Sequence, residues 1–178
     1  MIIAQQKRQE NIIEYILYMR QIADIIRAFD FNINKINESV ISKFKVNENK
    51  RAEIKDWYAK KTMDLINEKK EQGGDLFEIE QLISDLNELH LNLLNDSEEY
   101  KHSELYRWAQ PNIEEFRKLS NQNSANDIKI CIDALHSLML LKLKNRSISE
   151  DTMQAMQTFS NLLAHLAMRF KKQEIGLH

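Results

Sequence analysis

A chain of 178 residues is long enough to bury a real core, yet this one holds only 3 Gly and 1 Pro. Sheets and phosphate-cradling loops need such residues for positive φ and preset turns. Their scarcity therefore points to an all-α fold and excludes Walker loops, dinucleotide fingerprints and nucleophile elbows. With 25 basic against 27 acidic residues the formal net charge is -2, which gives no bulk support for a nucleic-acid partner.

In chain order, the first predicted helix runs from about Ala4 to Ala28, where Ile12, Ile16, Met19, Ala23 and Ile26 recur at helical spacing. Asp30-Phe31-Asn32 reads as a break, and a short helix carrying Ile33, Ile36, Val40 and Phe44 follows. Asn47 is placed to cap a third helix with Ile54, Trp57, Tyr58, Leu65 and Ile66 inward, ended by Gly73-Gly74. Asp75 and Glu78 fit a capping box for a fourth helix, whose stripe is Leu76, Ile79, Ile83, Leu86, His90 and Leu93. Asp96-Ser97-Glu98-Glu99 supplies capping groups and acids for the next N-terminus. Pro111 is expected to kink or end that helix near Ala109, with a new start at Asn112. Ser124 and Asp127 open a helix bearing Ile128, Ile132, Leu135 and Met139. Ser147 and Glu150 box the last one, with Met156, Phe159, Leu163, Ala167 and Phe170 inward. The joints are short, there is no internal repeat, and no point marks a boundary clearly. The expectation is a single domain over residues 1–178, an antiparallel bundle of six or seven helices.

Cys131 is the sole cysteine, so neither an intramolecular disulfide nor a thiolate zinc site can form, and its setting between Ile130 and Ile132 reads as core. The N-terminus is too polar for a signal peptide. The longest apolar stretch, Ile128 to Leu143, is interrupted by Lys129, Asp133, His136 and Lys142 and falls short of a membrane span. A cytoplasmic location without membrane contact is expected.

The opening Ile3-Ala4-Gln5-Gln6-Lys7-Arg8, then Glu10-Asn11-Ile12, Glu14-Tyr15-Ile16-Leu17-Tyr18-Met19 and Ile25-Ile26-Arg27-Ala28, resembles the start of a bacterial family known only as a domain of unknown function. The resemblance covers this first helix. It implies a cytoplasmic, bacterial, all-helical protein and brings no activity, substrate or catalytic residue.

Three constellations could carry chemistry. Glu99-Tyr100-Lys101-His102 has the Glu-x-x-His spacing of carboxylate-bundle metal sites, and Asp133-Ala134-Leu135-His136 nearly matches it. Glu99, His102 and His136 are thus candidate metal ligands; against them stands the plainer reading of histidines hydrogen-bonded at a core edge. On the first helix Arg20, Asp24 and Arg27 share a strip at i, i+4 and i+7, which suits a carboxylate or phosphate ligand or, more simply, an ion-pair network where this helix meets another. Lys50, Arg51, Lys55, Lys60 and Lys61 crowd Trp57 and Tyr58, a mixture that single-stranded nucleic acid prefers. Interleaved Glu48, Glu53, Asp56 and Asp64 make it read as a solvated face. His90 reads as a packed core histidine and His165 as exposed. The acid pairs Glu68/Glu71 and Asp85/Glu88 superficially match the magnesium-binding pairs of helical pyrophosphatases but read as solvated carboxylates. No set of nucleophile, base and oxyanion donors converges. The expectation is a non-enzymatic helical interaction or scaffold module, self-associating or bound to a protein partner, without cofactor or nucleic acid; the alternatives are a His/carboxylate metal enzyme and a small-anion binder.

Overall fold

The computed structural model of the chain describes residues 2–176 and is all-α: eight α-helices and one 3-10 turn, with no strand among the described residues. The helices are α1 (Ile2–Glu10), α2 (Ile12–Ala28), α3 (Ile33–Ser39), α4 (Glu48–Asn67), α5 (Phe77–Asn95), α6 (Tyr100–Leu119), α7 (Asp127–Leu143) and α8 (Glu150–Glu174). The 3-10 turn is Ile41–Lys43. Contacts group the chain into two compact units. The first holds the residues up to Glu10 and Glu14–Gln81, the second Asn11–Ile13 and the residues from Leu82 onward.

Helix boundaries depart from the sequence reading where side chains compete for backbone groups. The expected continuous first helix is divided at Asn11, whose Oδ1 accepts the Ile13 N–H at 2.9 Å and offers the backbone an alternative to the helical ladder. Pro111, in contrast, neither ends nor restarts a helix: α6 runs through it. Ala109 and Ile113 on either side are fully buried, and Asn112 donates to Thr158 on α8 at 3.0 Å, so tertiary contacts hold the helix through its missing N–H.

Caps were only partly foreseen. Asn47 caps α4 as expected, accepting the Lys50 N–H. The predicted box of Asp75 and Glu78 is not how α5 begins: the Asp75 carboxylate is bound by Arg20, Glu78 by Lys61, and Glu68 accepts the Phe77 N–H instead. Asn126 rather than Ser124 caps α7, and Ser149 rather than Ser147 caps α8. α4 stops before Gly73. Its end is built on Lys69, held at φ +56, with Lys70 N–H donating to the Leu65 carbonyl and Lys69 N–H to that of Ile66. Asp30, Asn121 and Asn145 adopt the same left-handed geometry after α2, α6 and α7, which is how a chain so poor in glycine still reverses.

In the first unit the core is built from Ile16, Met19, Ile22 and Ile26 of α2, Ile36 of α3, Ile54, Tyr58 and Leu65 of α4, and Ile79 at the start of α5. Ile66, expected inward, is exposed, and Trp57 is half-buried. In the second unit α8 packs against both α6 and α7. Leu86, Ile113, Ile128, Ile130, Phe159, Leu162 and Leu166 are buried there almost completely. Contacts between α6 and α8 run in opposite directions along the two helices: Asn112 meets Thr158, His102 meets His165 and Glu99 meets Arg169. The pair is therefore antiparallel.

Candidate functional site: a buried histidine chain

His90, His102 and His165 come from three helices of the second unit. His90 continues the inward stripe of α5, four residues after Leu86. His102 shares a face of α6 with Ala109 and Ile113 at i+7 and i+11, and is 0% exposed. On α8, Thr158, Leu162, His165 and Arg169 follow one another at spacings of four, three and four, a row that faces α6. His165, expected to be exposed, is half-buried in this row. It borders Leu162, which is fully buried; an apolar residue at that edge was the available signal that the buried face of α8 is wider than its main stripe.

The three rings form a chain. His90 Nδ1 lies 2.8 Å from His102 Nε2, and His102 Nδ1 lies 3.2 Å from His165 Nδ1. Both nitrogens of His102 are thus occupied. A neutral imidazole offers one N–H and one lone pair, so His102 donates to one neighbour and accepts from the other. Two arrangements satisfy the chain, with both bonding N–H groups directed towards His90 or both towards His165; passing from the first to the second moves one proton along each bond, releases a proton from His90 Nε2 and takes one up at His165 Nε2. Protonation of His102 would place a positive charge on a ring that is 0% exposed.

The surroundings favour the neutral forms. Burial lowers the pKa of His102 to about 3, with further depression from His90, His165 and Arg169. Burial also lowers His90, against the attraction of Asp127, and lowers His165, where Glu99 opposes and Arg169, Lys101 and Lys172 assist. At one end of the chain the Tyr106 ring meets His90 edge-on, with centroids 4.9 Å apart, and donates its hydroxyl to Asp127 Oδ2 at 2.6 Å. Asp127, in the first turn of α7, is also bound by Arg117, which donates to the Ala125 carbonyl as well. At the other end Arg169 pairs with Glu99 at 2.6 Å. A neutral relay is thereby flanked by paired charges.

Of the candidate metal ligands, Glu99 is bound by Arg169, His102 lies within the histidine chain and His136 is half-buried on α7, where Asp133 is held by Lys129 at 2.7 Å. The histidines face one another pairwise, with His102 using opposite nitrogens, so their lone pairs do not converge on one point. Among the described residues no group of three or more His, Cys, Asp and Glu side chains is placed to hold a metal ion. Cys131 is buried, and burial raises its thiol well above the ordinary range.

The arginine strip lies in the first unit. Arg20 is 7% exposed and donates Nε and Nη2 to the two Asp75 oxygens at 2.9 and 2.6 Å, a bidentate pair. Arg27 donates to the carbonyls of Lys70 and Gly74 at 2.9 and 2.6 Å, and its Nη1 lies 3.5 Å from Asp24. The strip thus fastens the loop between α4 and α5 to α2. That is the arrangement of an ion-pair and capping network, and Asp75 was the partner the sequence reading missed.

No curated protein and no solved structure matches the chain. A family model does, described as Domain of unknown function (DUF4924), and it covers residues 1–176. The chain belongs to this family, which the resemblance of its first helix had already indicated.

Proposed function

We propose that the chain is a non-enzymatic, cytoplasmic, bacterial interaction module that binds a protein partner through the face shared by α6 and α8. The observation that carries this reading is Trp108, 67% exposed at the rim of an open cleft of about 350 Å³ lined by Lys101, Glu104, Leu105, Thr158 and Asn161. Tryptophan loses the most by facing water and is enriched among the anchors that dominate protein interfaces. The groups suited to chemistry support the same reading by their engagement: Arg20, Arg27, Glu99 and His102 each bind other groups of the chain. A single buried thiol suits a reducing compartment. No helix among the described residues is long and apolar enough to cross a membrane.

A photoreactive phenylalanine derivative in place of Trp108, expressed in the source cell, tests the reading. The expected result is a discrete cross-linked species, either with one partner or with a second copy, that is absent when the same group replaces the exposed Lys142 on α7. Equal or absent cross-linking at the two positions refutes it. Trp108→Ala should abolish co-purification of that species while changing stability by no more than about 0.5 kcal/mol, as expected of an exposed side chain.

A further inference from the structure

A second cleft, in the first unit, is unlike the rest of the surface. It encloses about 350 Å³ between α1, the start of α2 and α4, and is lined by Ala4, Gln5, Arg8, Gln9, Tyr15, Trp57, Lys60 and Lys61. Acidic residues outnumber basic ones in the chain, 27 to 25, yet this lining has three cations and no carboxylate. Lys61 is answered from outside the cleft by Glu78 at 2.8 Å and Asp64 at 3.2 Å. Lys60 is exposed and takes no partner among the described residues, as do the amides of Gln5 and Gln9. Arg8 adds a planar donor group suited to phosphate. Two aromatic side chains, Tyr15 and Trp57, both half-buried, share the lining with these donors. The volume lies in the range of small-molecule sites, about 300 to 1,000 Å³.

We propose that this cleft binds a nucleotide-class ligand, a phosphate carried on a planar ring. The phosphate would lie among Lys60, Arg8 and the two glutamine amides, and the ring against Trp57 and Tyr15, where aromatic stacking adds affinity without selecting one base. A bare phosphate would leave the aromatic wall uncovered. A neutral ring would leave Lys60 and the two glutamine amides unanswered. The site is independent of the α6–α8 face.

Calorimetric titration of the full chain with adenosine monophosphate, inorganic phosphate, adenosine and a short oligonucleotide tests this. The expected result is saturable binding of the monophosphate, weaker by about tenfold or more for phosphate and for adenosine alone, the scale of one lost charged or stacking contact. Lys60→Glu and Gln9→Glu, both at exposed positions, should each weaken the monophosphate about tenfold or more with an unchanged melting temperature. Absence of monophosphate binding overturns the proposal, as does binding that both variants leave intact. Phosphate binding as tightly as the monophosphate removes the ring from the proposal and overturns it. Affinity confined to the oligonucleotide and growing with its length identifies a polymer-binding surface instead.

Discussion

The two units bury polar groups in opposite ways. In the first, Arg20 and Asp75 are both nearly inaccessible, at 7% and 13% side-chain exposure, and remain as a charged, bidentate pair. In the second, three histidines are buried as neutral rings that hydrogen-bond one another. A charge pair tolerates burial only while both partners are present, because either one alone is an uncompensated charge. A neutral ring chain tolerates burial only while no proton is added. All five histidines of the sequence lie beyond residue 81, so mild acidification acts on the histidines of the second unit and on none in the first.

The largest effect should come from breaking the charge pair on one side. Asp75→Ala leaves Arg20 buried without its carboxylate and should cost about 3 kcal/mol or more in urea unfolding at neutral pH. Arg20→Met together with Asp75→Leu removes both charges and should recover most of that loss. If the single and double changes cost the same, the pair is not the source of the stability. Replacing His102 by Leu should cost about 2 kcal/mol at pH 7.5, because His90 and His165 each lose a partner. The gap to the parent chain should narrow towards pH 5, since the group that most resists protonation is gone. A gap that stays constant with pH would mean that His102 contributes shape alone. The smallest effect lies in a turn of the first unit. Lys69→Gly relieves a left-handed residue at φ +56 and should stabilise by about 0.5 to 1 kcal/mol, read as a raised melting temperature.

Much of this architecture was legible in the sequence because it follows periodicity. The stripes of α2, α5 and α8 are buried as the spacing predicts, from Ile12 to Ile26, from Leu76 to Leu93 and from Met156 to Phe170. Boundaries were less legible, because a cap depends on which of several nearby oxygens reaches the free N–H groups. Asp75 had the right spacing for a cap but met a buried guanidinium instead. Pro111 stays within a helix because Ala109 and Ile113 pack on either side of it, a tertiary fact invisible to local propensity. The histidine chain was legible only in fragments. His90 and His102 fell on apolar faces, whereas their meeting with His165 depends on the antiparallel register of α6 and α8, which no spacing within one helix encodes.

The central claim is that the second unit keeps its buried histidines neutral, and the pH dependence of unfolding tests it directly. The folded-state pKa of His102 is depressed to about 3, and those of His90 and His165 are also depressed. Between the ordinary histidine value and the depressed one, the unfolded chain binds protons that the folded chain refuses, so stability is fully present above about pH 7 and falls as the pH drops. His102 alone accounts for about 2 kcal/mol between pH 7.5 and 5.0. Urea unfolding across that interval should show a loss of at least this size, with amide exchange in α6 and α8 accelerating before that in α2 and α4. Stability that is flat or rises on acidification, or ring signals of His90, His102 or His165 that titrate near pH 6.5 in the folded protein, would contradict it.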